Sequence, residues 1–289
     1  MTVINKVGLS VAVMGLVVAT SSQVWAGLDL RTSTSVLTYQ NPGGVTGGGR
    51  NLENYSATFS ALSLSDSATS TLASTDLTAQ GGLGSTGQLR LGAYARGTAD
   101  AYYLFGQDMQ GAGSYNSGAS AEWDDTIQIR NPGGPTPTTF FLSATLEGSV
   151  SEVGAFVYGA LSVSGGGSST IFSSGTLAFE GSLDADGFGS FSLLLIASVD
   201  ANAQAAGGGE DHFAHTESTS NFLHTLTLSS VQVRDSNGTL VIPESLGYTL
   251  SFGSGMNSPD LQSVPEPTTL AGAGLAGLAG LIVPRRRKG

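Results

Sequence analysis

The groups best suited to hold a metal or move a proton gather at Glu210-Asp211-His212-Phe213-Ala214-His215, with Glu217 just beyond. On a helix, the three-residue spacing of His212 and His215 would bring both imidazoles to one side, where a zinc ion could take them. The glycine run Gly207-Gly208-Gly209 before them and the Ser and Thr residues after them favour a loop, in which that spacing carries no geometric meaning. Asp184-Ala185-Asp186-Gly187 matches the opening of a calcium loop, but Phe188 stands at the third ligand position and Leu195 replaces the closing Glu. A hairpin turn accounts for it better, with a weak surface calcium site as the alternative. Glu122, Asp124 and Asp125 form another acidic cluster, expected at a solvated strand end.

Gly82-Leu83-Gly84-Ser85-Thr86-Gly87 fits the dinucleotide-binding pattern in its letters only. The strand-like Gln88-Leu89-Arg90-Leu91 follows, where a phosphate site needs a helix N-terminus. Neither a Gly-x-Ser-x-Gly elbow nor a His-Glu-x-x-His pair occurs. Without Cys the chain has no thiolate zinc site, Cys nucleophile or disulfide. No catalytic, cofactor or metal residue is assigned from these motifs. Paired carboxylates for glycoside hydrolysis stay open, because their separation is a spatial property.

The elements that must position these groups read as strands. Only 11% of the residues are charged and 42 are Gly, yet Phe140 to Leu146 and Phe191 to Val199 are apolar enough to order a core. Apolar-polar alternation broken by glycine clusters predicts strands at Leu28 to Tyr39, Tyr55 to Leu64, Ser70 to Leu77, Leu89 to Tyr94, Ala99 to Phe105 and Ala119 to Ile129. The second half adds Phe140 to Leu146, Ser149 to Val163, Ile171 to Phe179, Ser182 to Val199 and Asn221 to Ile242. Asn41-Pro42-Gly43-Gly44 and Asn131-Pro132-Gly133-Gly134 read as turns, and Asp235-Ser236-Asn237-Gly238 as a hairpin. Leu226 and Leu228 alternate in one phase and Val231 and Val233 in the other, so a β-bulge is expected near Ser229-Ser230. Tyr102, Tyr103, Phe105, Tyr115 and Trp123 concentrate aromatic surface, read as core filling with a sugar-stacking face as the alternative. The pattern indicates an all-β, antiparallel sandwich or jelly-roll-like single domain over residues 27–253, with a polar tether over residues 254–264.

Both ends look like addresses. Lys6, the apolar run Val7 to Ala19 and Val24-Trp25-Ala26 make residues 1–26 a signal peptide, an N-terminal helix cut between Ala26 and Gly27. Between Gly27 and Val264 there are six Arg, no Lys and 21 Asp plus Glu, a net charge of −15. That excludes the basic footprint of a nucleic-acid partner. Thr268 to Val283 is sixteen small or apolar residues, about 24 Å as a helix against a hydrocarbon core of about 30 Å. Arg285, Arg286, Arg287 and Lys288 follow as a basic stop-transfer cluster that places the C-terminus in the cytoplasm and the domain outside.

Val264-Pro265-Glu266-Pro267, a short apolar helix and a terminal Arg cluster, in that order, closely resemble the PEP-CTERM sorting signal of Gram-negative bacteria. Pro265, Glu266 and Pro267 map onto the family's motif, Arg285 to Arg287 onto its basic tail, and Lys288-Gly289 merely extends it. The resemblance covers residues 264–289 and implies transient inner-membrane insertion, recognition by an exosortase-type membrane protease and cleavage near Pro265-Glu266-Pro267. It also implies association with exopolysaccharide and biofilm matrix. The expected protein is a non-enzymatic, cell-surface or extracellular-matrix structural protein. The alternatives are a carbohydrate-binding, calcium-assisted lectin-like module and, less favoured, a secreted hydrolase.

Overall fold

The computed structural model describes residues 27–256, apart from 42, 57–60, 84–87, 106–108, 152–153, 166 and 206–209. The expected signal helix with Ala26, the sorting motif Pro265-Glu266-Pro267, the apolar C-terminal helix and the cluster Arg285 to Lys288 lie outside the described residues. What is described is antiparallel β-structure, with one 3-10 turn at Pro243–Leu246.

The strands form one continuous sheet that folds over on itself into two facing layers. One layer runs β2 (Gly44–Ser56), β1 (Gly27–Asn41), β6 (Met109–Arg130), β12 (Phe188–Asn202), β9 (Ala155–Val163), β10 (Ser168–Ile171). The other runs β3 (Leu62–Thr69), β4 (Ala73–Leu83), β5 (Leu89–Leu104), β13 (His212–Arg234), β7 (Thr139–Leu146), β11 (Gly175–Ser182). They join where β5 and β6 pair from Ala101↔Ala112 to Leu104↔Met109. β8 (Ser149–Ser151) and β14 (Leu240–Val241) add to β13, and β15 (Thr249–Phe252) to β6. An Arg50–Asp66 ion pair links β2 to β3 at one flank, and Ser182 N–H donates to Ser164 O at 2.8 Å at the other, so the sandwich is closed and barrel-like.

Strict alternation drives the packing. In β6, the odd-numbered residues from Tyr115 to Ile129 point inward and are buried, among them Ala119, Ala121, Trp123 and Ile127. Leu193 and Leu195 of β12 continue that face across the register. From the opposite layer come Leu77, Leu89, Leu91, Phe140, Leu142, Leu226 and Val231. Burying such side chains is worth about 1.5–3 kcal/mol each and is the main term holding the layers together. Gly97 of β5 lies against the Tyr115 ring, where a Cβ would fall 2.4 Å from ring carbons, and the Tyr115 hydroxyl donates to Ser218 Oγ at 2.8 Å. That contact carries β6 across to β13.

Several sequence expectations match this fold. Leu226, Leu228, Val231 and Val233 are all buried because the β13–β7 register slips between Leu228 and Ser230. The Ser143 hydroxyl lies 3.0 Å from that of Ser229 and 2.6 Å from that of Ser230 at the bulge. Asp235 closes its hairpin with its own carboxylate, accepting from Asn237 and Thr239 N–H at 2.8 Å each. Asn131 accepts from Gly133 N–H and donates to Pro135 O in its turn.

Other expectations are corrected. Leu89 to Tyr94 and, up to Leu104, Ala99 to Phe105 belong to one strand, since Gly97 makes room for Tyr115 rather than ending a strand. Tyr55 to Leu64 is not one strand: β2 ends at Ser56 and Leu62 opens β3. Residues 44–50, too glycine-rich to read as a strand, pair with β1 from Gln40↔Gly44 to Thr34↔Arg50, because the ladder is made by backbone groups. Met256 is 5% exposed and belongs to the core, so the folded domain continues past residue 253.

Candidate functional site

The acidic tetrapeptide of β6, Glu122-Trp123-Asp124-Asp125, is the densest set of perturbed titratable groups among the described residues. Its strand position corrects the expectation of a solvated strand end. Successive β residues alternate faces, so Trp123 and Asp125 enter the core, both 0% exposed, while Glu122 and Asp124 stand half-buried on the outer surface.

Asp125 is a structural clamp. Its Oδ1 accepts from Thr126 N–H at 2.7 Å and Ser254 N–H at 3.0 Å, and its Oδ2 from Ser254 Oγ at 2.5 Å. Gly253 N–H donates to Thr126 O at 3.0 Å beside it. Burial pushes the Asp125 carboxyl above the usual carboxylate range, and the donors from Ser254, Thr126 and Trp123 oppose that rise. The Ser254 contacts fix the turn after β15.

Glu122 and Asp124 have a different environment. The ladder sets Gly27 opposite Asp124 and Asp29 opposite Glu122 on one side, with Ser192 opposite Asp124 on the other. Opposite residues share a face, so three carboxylates crowd the outer surface at the start of β1. Glu122 is pushed up by burial and then by the Asp124 charge; Asp124 is pushed up by burial and then by Asp29. Arg31 bonds Asp29 within this row, with Nε 3.0 Å from Asp29 Oδ2 and 4.0 Å from Glu53 Oε1, and its charge partly opposes the rise at Glu122. The Ser192 hydroxyl donates to Glu122 Oε1 at 3.5 Å.

The histidine stretch lies on a strand, not a loop: β13 begins at His212. A three-residue offset then puts His212 and His215 on opposite faces, opposite Tyr103 and Asp100 respectively. His215 Nδ1 lies 2.7 Å from Asp100 Oδ1, with both side chains more than half exposed. Among the described residues no group of three His, Cys, Asp or Glu side chains can hold a metal ion. Asp184-Ala185-Asp186-Gly187 is a hairpin turn, with Gly187 at φ +79° and Asp184 Oδ1 accepting from Asp186 and Phe188 N–H at 2.9 Å. A cavity of about 330 Å3 at the β3–β4–β5 flank is lined by Ser63, Gln80, Arg90 and apolar neighbours, with no carboxylate among the described residues.

The aromatics divide. Tyr115 and Trp123 fill the core, Tyr102 and Tyr103 are half-buried, and Phe105 is exposed. Sequence reading missed an outer cluster on β9 and its edge: Phe172 lies 5.7 Å from Phe156 and 5.5 Å from Tyr158, ring centre to centre, and Phe156 and Phe172 are exposed. The missed signal is the period-2 spacing of Phe156 and Tyr158.

Compared with protein-family models, with characterised proteins and with solved structures, the chain matches none. Of the sequence-assigned site residues, Gly27 alone is described, as the buried first residue of β1.

Proposed function

We propose that this chain is an exported structural protein of the cell surface or extracellular matrix, processed at its N-terminus by a signal peptidase and at its C-terminus by an exosortase-type protease. The observation that carries the reading is the ordered set Pro265-Glu266-Pro267, apolar Thr268 to Val283, and Arg285 to Lys288. The described domain is compatible with life outside the cell: it is a Cys-free, closed β-sandwich whose Lys-free chain is strongly acidic. Met256 is packed in the core and eight residues separate it from Pro265, a spacer long enough to hold the motif clear of the domain. Deleting Pro265 to Gly289, or replacing Glu266 with Ala, is expected to leave the protein unsorted in the envelope, read by fractionation and intact mass. Unchanged surface display and an unchanged mass would sink the proposal.

A second reading, a carbohydrate-binding module, is favoured by the exposed rings Phe156 and Phe172 beside half-buried Tyr158, since aromatic faces stack on the C–H surface of sugars. Trp123 is enclosed and has no part in it. Phe172→Ala is expected to abolish retention on exopolysaccharide without lowering the unfolding midpoint; retention unaffected by the change would reject this reading.

A further inference from the structure

The outer acidic row has three half-buried carboxylates at the start of β1, and its single arginine, Arg31, is bonded to Asp29. We propose that the α-amino group released at Gly27 is the missing structural cation of the mature protein, seated over Asp124, Glu122 and Asp29. The inference rests on the export reading, because it needs the cut between Ala26 and Gly27. Hydrolysis of that amide by water leaves a carboxylate on Ala26 and an ammonium on Gly27. In the uncut chain the same nitrogen is an amide and carries no charge.

Three independent observations converge on this site. First, Gly27 pairs directly with Asp124, and opposite residues of an antiparallel ladder have Cα atoms about 4.5–5.5 Å apart, which brings the Gly27 nitrogen within reach of the Asp124 carboxylate. Second, Gly27 is buried beneath Tyr55, where a Cβ would fall 2.6 Å from the Tyr55 hydroxyl. Glycine lets the Tyr55 ring close over this position, and that hydroxyl can accept a hydrogen bond from the ammonium. Third, the domain chain has no Lys, so no other ammonium can serve the cluster, and each Arg is fixed by its place in a strand. The charged groups facing the site are Asp29 and Arg31 on β1, Glu53 on β2 and Glu122 and Asp124 on β6; β12 offers Ser192. Burial and mutual repulsion already raise the proton affinity of Glu122 and Asp124, the condition that a nearby ammonium relieves.

The scarcity of amines makes the test selective. Acetylating the mature protein recovered from the envelope modifies Gly27 alone, or Gly27 and Lys288 if the C-terminal tail is retained, and intact mass separates the two. Acetylation is expected to lower the unfolding midpoint by about 3 °C at pH 6.5. The loss is expected to vanish in the Glu122→Gln/Asp124→Asn double variant. The amine itself should titrate above its ordinary range of about 7.7–8.0, read from the pH dependence of acetylation rate on the unaltered sequence, which needs no variant to fold. Equal midpoints for free and acetylated protein, an ordinary amine titration, or an equal loss in the double variant would each overturn the proposal. A mature mass that begins elsewhere than Gly27 overturns the cut and the cation together, whereas a chain that begins at Gly27 and is indifferent to acetylation overturns the cation alone.

Discussion

Asp125 and the pair Glu122 and Asp124 sit within four residues on one strand, yet they solve opposite problems. Asp125 is wholly enclosed and supplied with donors, which offset part of the cost of its burial and let it hold the turn at Ser254. Glu122 and Asp124 are more accessible but face other carboxylates, with one shared hydroxyl from Ser192. The difference teaches that burial sets the direction of all three proton affinities, while donor supply decides which carboxylate can hold a neighbouring segment in place.

The comparison breaks most visibly on its inward face. Trp123→Ala is expected to cost about 3–5 kcal/mol in denaturant unfolding, because the indole is fully enclosed between the layers. A cost below about 1 kcal/mol would mean the inward face of β6 is not the core. Next in size, Asp125→Ala should cost about 2–4 kcal/mol by stranding the Thr126 and Ser254 donors. Asp125→Asn, which keeps an acceptor for both amides and can donate to Ser254 Oγ, should cost less than half of that. Equal losses for the two would show that charge rather than hydrogen bonding holds the turn.

The outer face is read through pH. A carboxyl whose folded proton affinity exceeds its unfolded one destabilises the fold above its folded pKa. That penalty is relieved as pH falls through the folded pKa toward the ordinary value of about 4. The acetylated protein should therefore become more stable as pH falls from 7 toward the ordinary carboxylate range, through Glu122 and Asp124 with Asp125 adding in the same direction. A midpoint that falls steadily over that interval would remove the repulsive reading. The smallest effect belongs to an ion pair in the open: Arg96→Ala, breaking the 2.8 Å contact with Glu217, should cost about 0.5 kcal/mol or less and nothing in high salt.

These contrasts also mark where sequence reading stops. The β13 bulge was legible because both apolar pairs, Leu226 with Leu228 and Val231 with Val233, need burial, and only one extra residue reconciles their phases. The Asp235 and Asp184 turns were legible because Asx chemistry is local. The glycine positions were not. Gly97 reads as a break until Tyr115, on another strand, is seen to need its space, and residues 44–50 form a strand through backbone pairing that leaves no trace in side-chain pattern. The acidic tetrapeptide was visible as a cluster, but its division into a clamp and a repulsive row depends on Ser254 and Gly27, more than ninety residues away on either side.

The pairing of β6 has a consequence for orientation. Gly27 meets β6 at Asp124 and Phe252 meets it at Ile127, so both chain ends leave the domain at one pole. β1 runs from that pole for fifteen residues, about 50 Å, to the Gln40↔Gly44 hairpin. Around the distant pole stand Tyr39, Val45, Phe105 and Phe213, all exposed. Were the domain held by its C-terminal chain, this apolar tip would stand away from the surface that holds it, like the head of a pin.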